Sequence, residues 1–244
     1  MPVARMPVAR MGVILSSSNR CVEPYFQAHG PAALGLHYTR IAMAQGLRGS
    51  DQDVKRAFHT AAAYLAHARV DVIDLQATGI IMAAGPGAEA ELVAAIEQAT
   101  GIATFTATQA LVEGLDALGL KNVALVTPFG DAANARERDY LEARGFTVSR
   151  AVGLATGGGI RSAEVTPAQW RDAALGADGP EVEGFVLSGS NTTMVDAIAP
   201  IEAALAKPVV TSIQAALWAG VRRLDALLGR DVTAPALGQL FKLH

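Results

Sequence analysis

Four short polar segments of this chain each follow an apolar run and carry the side chains best suited to bind an anion. They are residues 16–19, 76–79, 127–130 and 188–191. Their hydroxyls, amides and glycines offer neutral hydrogen bonds, which can hold one or two carboxylates. Serine, asparagine and glycine also occur in ordinary turns, where they cap helices. Because all four segments stand at related positions, the pattern favours a binding site.

Two kinds of side chain near these segments could perform chemistry. Ser188 and Ser190 carry hydroxyls, although a serine is a weak nucleophile unless a base lies within hydrogen-bond reach. Asp74 and Gln76 alternate along a predicted strand, so both should point to the same face of its sheet. A buried Asp74 with a raised pKa could serve as an acid or a base. The alternative for Asp74 is a structural pair with an arginine or a helix N-terminus.

An internal repeat explains the spacing of the polar segments. The related ranges are 11–16 with 122–127, 70–79 with 182–191, and 96–110 with 201–215. In the second pair, both copies have the pattern of a buried strand that ends in a polar turn. Two similar units facing each other would create one cleft between their strand ends, where loops and helix N-termini converge.

Strand-like and helical patterns alternate along the chain, which predicts parallel sheets wrapped by helices. Strands are predicted at residues 12–15, 36–41, 72–75, 103–106, 123–127, 147–151, 184–187 and 209–211. Helices are predicted at residues 54–68, 88–100, 108–118, 132–144, 167–176, 194–206 and 215–228. Asp131 and Thr166 are predicted to cap helices. The fold class is therefore α/β, with two similar Rossmann-like units related by a pseudo-twofold duplication.

The repeat also predicts the domain boundaries. The first unit spans residues 11–118 and the second spans residues 119–214, while residues 1–10 form an N-terminal extension. The helix at about residues 215–230 follows the second unit in sequence, but we expect it to pack back on the first.

Composition restricts the class of partner. The net charge is -3 and the 20 lysines and arginines are scattered, which argues against a nucleic-acid-binding face. No apolar run approaches the length of a membrane-spanning helix, and the start lacks the apolar core of a signal peptide. The single cysteine, Cys21, excludes an intramolecular disulfide and a cysteine-based zinc site. We expect a cytoplasmic protein with no nucleic-acid or membrane partner.

The sequence predicts neither a metal site nor a nucleotide site. No group of histidine, aspartate and glutamate has metal-ligand spacing. The glycines at 157–159 are not followed by the Lys-Ser/Thr pair of a phosphate loop.

Several segments resemble the maleate cis-trans isomerases and the arylmalonate decarboxylases of the aspartate/glutamate racemase superfamily. Residues 12–19, Glu23, Pro24, 70–73, Gly85 and Pro86 carry the resemblance to the isomerases. Residues 117–127, Asp131, Asn134 and 218–222 carry the resemblance to the decarboxylases. The resemblance covers nearly the whole chain from about Met11. It implies the duplicated α/β fold, a small-molecule carboxylate substrate, no cofactor and a homo-oligomer.

The resemblance also implies where a substrate binds. The substrate-binding positions are Ser17, Ser18, Asn19, Gln76, Ala77, Thr78, Phe129, Gly189 and Asn191. Members typically place one or two cysteines at two symmetry-related loop positions, which are Ala77 and Gly189 here. Phe129 stands where a tyrosine usually binds the substrate carboxylate, and a family asparagine falls within 157–159. We therefore expect a larger, more apolar cleft, with one carboxylate anchored near Asn19 and Thr78.

These residues lead us to expect a cofactor-independent lyase or isomerase of a small carboxylic acid. Ser188, Ser190, Thr78 or Asp74 would replace the missing thiols. Decarboxylation is favoured because an apolar pocket destabilises a carboxylate, whereas isomerisation through a thiol adduct needs the missing cysteine. The alternatives are a hydrolytic or tautomerising variant and a non-catalytic relative that only binds carboxylates.

Overall fold

A computed structural model describes residues 9–42, 51–229 and 237–243 as two four-stranded parallel sheets with helices packed against them. The first sheet has the order β2-β1-β3-β4, from β1 (Ala9–Ser16), β2 (Leu34–Ile41), β3 (Val72–Gln76) and β4 (Ala103–Thr106). The second has the order β6-β5-β7-β8, from β5 (Asn122–Thr127), β6 (Thr147–Gly153), β7 (Gly184–Leu187) and β8 (Val209–Thr211). The repeated strand order confirms the predicted duplicated α/β fold.

The helices alternate with the strands in both halves. They are α1 (Val22–His29), α2 (Asp51–His67), α3 (Thr78–Thr100), α4 (Ala107–Ala117), α5 (Asp131–Ala143), α6 (Pro167–Gly176), α7 (Ile198–Leu205) and α8 (Ser212–Leu228). Every predicted strand and helix is present, and most bounds differ by a few residues. The exceptions are α3, which begins ten residues before the predicted start at residue 88, and the helix predicted at 194–206, whose first turn is a 3-10 helix at Met194–Ala197. The sequence did not predict α1 or the first turns of α3, because α1 is short and the glycines of α3 interrupt its pattern.

Helix starts explain part of the sequence repeat. Thr106 and Thr211 each accept a hydrogen bond from the backbone N–H of a glutamine three residues later, and that glutamine side chain bonds back. Both helices therefore begin with a capping box, which satisfies backbone donors at the helix end. Thr166 caps α6 in the same way, as predicted. The predicted cap at Asp131 is wrong, because Gly130 occupies the cap position and Asp131 is the first residue of α5.

Two other expectations need correction. β1 begins at Ala9, so the last two residues of the predicted extension belong to the first sheet, while residues 1–8 lie outside the described residues.

Among the described helices, α3 is long and apolar enough to cross a membrane by length and composition, contrary to the sequence-based expectation. Gly85 interrupts α3 with a φ of 86° before Pro86. Glu89 in its second half is buried and accepts hydrogen bonds from Thr106 and Tyr140, as expected of a core helix.

The final helices of the two halves, α4 and α8, lie together between the sheets. A Cβ added at Gly114 of α4 would lie 3.1 Å from Val210 in β8. A Cβ added at Gly220 of α8 would lie 2.6 Å from Met11 in β1. Each of these helices therefore contacts the sheet of the other half, and α8 lies against β1 and β3 of the first sheet. Residue 230, at the end of the helix predicted there, lies outside the described residues.

This close packing predicts a position-dependent effect on stability. Gly220→Val should lower the free energy of unfolding by about 1–3 kcal/mol, because the added atoms overpack a core that contains Met11 and Phe105. Gly87→Val is the matched control, since a Cβ there would meet no atom within 4 Å. Chemical denaturation of both variants measures the difference, and equal stabilities would contradict the packing described for α8.

Candidate functional site

The cleft lies at the carboxyl ends of the strands, between the two halves of the chain, and has a volume of about 980 Å³. The predicted site residues that line it are Ser18, Gln76, Ala77, Thr78, Phe129, Gly189, Ser190 and Asn191. Parallel strands end at one edge of their sheet, so the polar segments from distant parts of the sequence meet there. Ser17, Asn19, Asp74 and Ser188 do not line the cleft.

Another wall is formed by residues 157–159, which the family resemblance places at the site, and by the segment after them, which was not predicted from the sequence. Gly157, Gly158 and Gly159 all have positive φ values, and they lead into a 3-10 helix at Gly159–Glu164. Ile160, Arg161, Ser162 and Glu164 of this helix also line the cleft. The run of three glycines was the available signal, because residues without a Cβ adopt this backbone region readily.

Side-chain hydrogen bonds of Asn19 and Asn191 connect the first polar segment, residues 16–19, to the fourth, residues 188–191. Asn19 is 2% exposed, accepts backbone hydrogen bonds from Cys21 and Val22, and donates to the Ser190 carbonyl at 2.9 Å. Asn191 accepts from the backbone of Arg20 and donates to the carbonyls of Ser18 and Gly159. The side-chain groups of Asn19 are thus engaged behind the cleft, where they hold the loops in place instead of facing a ligand.

Apolar side chains form much of the remaining cleft surface. Phe129, Ile80 and Ile160 come from three different segments. A Cβ added at Gly79 would lie 3.7 Å from the tip of the Phe129 ring, so this ring closely approaches the first turn of α3. An apolar substituent of a ligand would be desolvated against this surface.

The two family cysteine positions differ in backbone conformation. Ala77 has a φ of -144°, which any residue can adopt, and its methyl group lines the cleft. Gly189 has a φ of 119°, and a Cβ there would lie 3.0 Å from Pro128. Its N–H donates to Ser212 Oγ at 3.2 Å. The loop at Gly189 is therefore shaped for glycine.

Asp74 lies beneath the cleft floor, where Gln76 separates it from the cleft. Asp74 is fully buried, and Gln76 Nε2 donates to its Oδ2 at 2.8 Å. Asp74 Oδ1 and Gln76 Oε1 have no hydrogen-bond partner among the described residues. Burial raises the pKa of Asp74 to about 7, while the Gln76 hydrogen bond and the Arg223 charge lower it.

A second buried acid, Glu137, lies beside Ser188. Burial raises the pKa of Glu137 to about 7, and the nearby Ser188 hydroxyl and Arg136 charge lower it. The Glu137 oxygens and Ser188 Oγ nevertheless fall short of full hydrogen-bond geometry with any described residue. The sequence analysis missed Glu137, whose charged neighbours suggest a surface residue. Its spacing of three residues from both Asn134 and Tyr140, which are also buried, was the signal that could have found it.

The remaining hydroxyls and the thiol have distinct environments. Ser190 lines the cleft and donates to the Gln76 carbonyl at 3.4 Å. Ser17 is exposed. Cys21 is buried away from the cleft lining, and burial raises the pKa of its thiol.

In the part of the chain that the structure describes, no group of three histidine, cysteine, aspartate or glutamate residues could hold a metal ion.

Comparisons with known proteins place this site in context. The family model described as arylmalonate decarboxylase matches residues 25–241. The arylmalonate decarboxylase of Bordetella bronchiseptica is 32% identical over 70% of each chain. The maleate isomerase of Nocardia farcinica is 29% identical over 97% of each chain.

Solved structures of such enzymes share the fold. The TRIS-bound maleate cis-trans isomerase of Nocardia farcinica has a TM-score of 0.87 at 26% identity, covering 96% of this chain and 98% of that one. Unliganded arylmalonate decarboxylase has a TM-score of 0.81 at 26% identity, covering 96% of this chain and all of that one. A cysteine-to-serine variant of the Nocardia isomerase carries a covalently bound succinylcysteine intermediate, with a TM-score of 0.86 at 26% identity, covering 97% of this chain and 99% of that one.

The two buried acids predict a pH-dependent stability difference. When folding raises the pKa of a carboxyl group, there is a pH range between the unfolded-state pKa and the folded-state pKa. In this range the group is protonated in the folded protein and ionised in the unfolded chain. The free energy of unfolding therefore falls as the pH rises through this range. For Asp74 the range runs from 3.8 to about 7. Asp74→Asn should therefore raise the melting temperature relative to the parent protein more at pH 8 than at pH 4. Calorimetry at both pH values measures this, and a constant difference would contradict the shifted pKa.

The backbone difference at the two cysteine positions predicts opposite outcomes for the same substitution. Ala77→Cys should fold normally and react with a thiol reagent in the native state, because that position borders the cleft. Gly189→Cys should be destabilised by about 1–3 kcal/mol, since a side chain there needs a strained backbone. Thermal denaturation and native thiol titration measure both effects, with the parent protein and its buried Cys21 as the control. A fully stable Gly189→Cys variant would refute the loop conformation.

Proposed function

The chain belongs to the arylmalonate decarboxylase family, and from this relationship we propose that it is a cofactor-independent lyase. It releases carbon dioxide from a small carboxylic acid bound in the cleft. The observation that carries the proposal is a cleft whose lining combines hydroxyl donors, the charged side chains of Arg161 and Glu164, and an apolar wall, and contains no thiol. The relatives catalyse two different reactions, decarboxylation and cis-trans isomerisation. The lining of this cleft favours decarboxylation.

Isomerisation through a thiol adduct lacks its nucleophile here. The Nocardia isomerase variant forms a covalent bond between cysteine and the substrate skeleton. The single thiol of this chain, Cys21, is buried and does not line the cleft. Decarboxylation needs no covalent adduct, because the bond that breaks joins the α-carbon to a carboxylate of the substrate itself.

The two sides of the cleft suit the two carboxylates of a substituted malonate. The retained carboxylate would accept hydrogen bonds from Ser18, Thr78 and Ser190. The departing carboxylate would lie near the apolar surface that includes Phe129 and Ile160, where loss of hydration raises its energy before it leaves as neutral carbon dioxide. The electron pair of the broken bond passes to the α-carbon and the retained carboxyl, and the hydroxyl donors stabilise the enediolate that forms.

A proton must then reach the α-carbon. We assign its supply to Glu137, acting through the adjacent Ser188 hydroxyl. Ser188 is buried next to the cleft residue Gly189, so the proton would pass from its hydroxyl to the α-carbon through one water molecule in the cleft. A pKa of about 7 leaves Glu137 partly protonated at neutral pH, which suits an acid that must also be recharged from solvent. Each turnover transfers one proton to carbon and leaves Glu137 ionised until it takes up another. Ser190 would contribute a hydroxyl inside the cleft, and Asp74 would act on Gln76.

The partner expected on this proposal is a small-molecule carboxylate. We also propose that the protein forms a homo-oligomer, is located in the cytoplasm, and has no nucleic-acid or membrane partner. The proposed division of the chain near residue 118 would place one half of the cleft on each unit.

The proposal predicts turnover of substituted malonates without isomerisation of maleate. Carbon-dioxide release from phenylmalonate and methylphenylmalonate, and ultraviolet absorbance during incubation with maleate, measure the two reactions. Glu137→Gln should lower kcat by about 100-fold, the lower range for loss of an acid catalyst, and should remove the corresponding limb of the pH profile. Glu142→Gln is the matched control, because Glu142 is exposed on the same helix.

Two results would contradict these assignments. Unchanged kcat and pH profile in Glu137→Gln would exclude it as the proton source. If no malonate releases carbon dioxide but one raises the melting temperature, the non-catalytic carboxylate-binding alternative replaces the lyase.

A further inference from the structure

Gln76 is a predicted binding residue whose side-chain amide contacts an ionisable neighbour, Asp74. Gln76 belongs to the cleft lining although it is fully buried. In the structure Nε2 donates to Asp74, so the amide oxygen is the end left without a partner among the described residues. An oxygen at this place would repel a bound carboxylate.

We propose that Asp74 is a positioning residue whose proton decides which end of the Gln76 amide faces the cleft. An ionised Asp74 can only accept hydrogen bonds, so it holds the NH₂ group of Gln76 inward. A protonated Asp74 donates to the Gln76 oxygen and turns the NH₂ group toward the ligand. Binding of a carboxylate therefore takes up a proton at Asp74, a consequence that rests on the proposed function.

The burial of Asp74 makes both states accessible. The ionised form receives a hydrogen bond from Gln76 at one oxygen, while the other oxygen has no partner among the described residues. A buried carboxylate with one hydrogen bond is poorly compensated, so proton uptake costs little. The pKa of about 7 puts the exchange between the two forms near neutral pH.

The charged and titratable groups around Asp74 come from several elements. Arg223 of α8 is the nearby cation; it pairs with Glu113 at 2.5 Å and lies over the ring of Phe105, the β4 neighbour of Asp74 in register. On the other side, Val13 of β1 separates Asp74 from Tyr38 of β2, whose hydroxyl is buried without a partner among the described residues. Burial, then the charge of Glu23 and then that of Asp74 raise the pKa of Tyr38, so the phenol stays neutral throughout the relevant pH range.

The arrangement exists in one half of the repeat. In the sequence echo, Val186 stands at the position of Asp74 and Ser188 at the position of Gln76. The second half therefore offers no equivalent carboxyl-to-amide contact. Only the first half would give carboxylate binding this dependence on pH.

The first test needs no ligand. Nitrogen-15 NMR of the Gln76 side-chain amide between pH 5 and pH 9 should show one titration with a midpoint near the pKa of Asp74. Asp74→Asn should abolish it, whereas Glu137→Gln should leave it unchanged, which separates the two buried acids of similar pKa. A Gln76 amide that does not titrate in the parent protein would overturn the proposal, and this result does not depend on the folding of any variant.

The second test uses phenylacetate, a monocarboxylate that cannot lose carbon dioxide in this reaction. Isothermal calorimetry in buffers of different ionisation enthalpy should show uptake of close to one proton on binding at pH 8. Affinity should fall about tenfold per pH unit above the Asp74 midpoint, as expected when binding is linked to one proton. With Glu137→Gln as the common background, so that the second acid of similar pKa does not titrate, Asp74→Asn should bind with an affinity independent of pH, because its amide donates permanently to the Gln76 oxygen.

The Gln76→Met variant tests whether the Gln76 amide binds the carboxylate, because methionine keeps the length of the side chain and lacks the amide. It should bind phenylacetate weakly at every pH. Proton uptake that persists in Asp74→Asn in the Glu137→Gln background would overturn the inference. If phenylacetate and methylphenylmalonate fail to bind at any pH while the Gln76 amide still titrates, the amide switch is supported and the proposed function is the part that fails.

Discussion

The burial of α4 and α8 between the two sheets is the constraint on which the rest of the structure depends. Most side chains of α8 are buried, from Ser212 to Val221 without interruption. Neither helix could bury so much surface against its own sheet alone. The shared packing therefore fixes how the halves face each other, and the position of the cleft follows from it.

The loops above this core are joined by polar contacts between distant parts of the chain. Asn19 and Asn191 connect the first and fourth segments, and the Tyr25 hydroxyl bonds to Asp196 at 2.5 Å. Because of these contacts, the side-chain amides of Asn19 and Asn191 are already hydrogen-bonded within the protein. The contacts leave hydroxyls, the Arg161 guanidinium, the Gln76 amide and apolar side chains to contact a ligand, which is why the cleft suits a carboxylate attached to an apolar group.

The buried carboxyls differ in how well they are compensated. Glu89 accepts hydrogen bonds from Thr106, Thr108 and Tyr140, and Arg144 lies 3.7 Å away, so its role is structural. Among the residues that the structure describes, Asp74 has one side-chain hydrogen bond and Glu137 has none of full geometry. Poor compensation raises a carboxyl pKa toward neutrality, and groups in this state are suited to proton transfer and to pH-dependent positioning.

The sequence by itself determined the duplicated α/β fold, the strand positions and the four polar segments. It could do so because strand and helix periodicities are local, and because parallel strands must bring their carboxyl ends to one edge. Only the tertiary structure decided that Asn19 holds loops, that Gly189 has a backbone suited to glycine, and that Glu137 lies beside Ser188. These facts depend on side-chain directions and on contacts between residues far apart in the chain, which the order of amino acids does not specify locally.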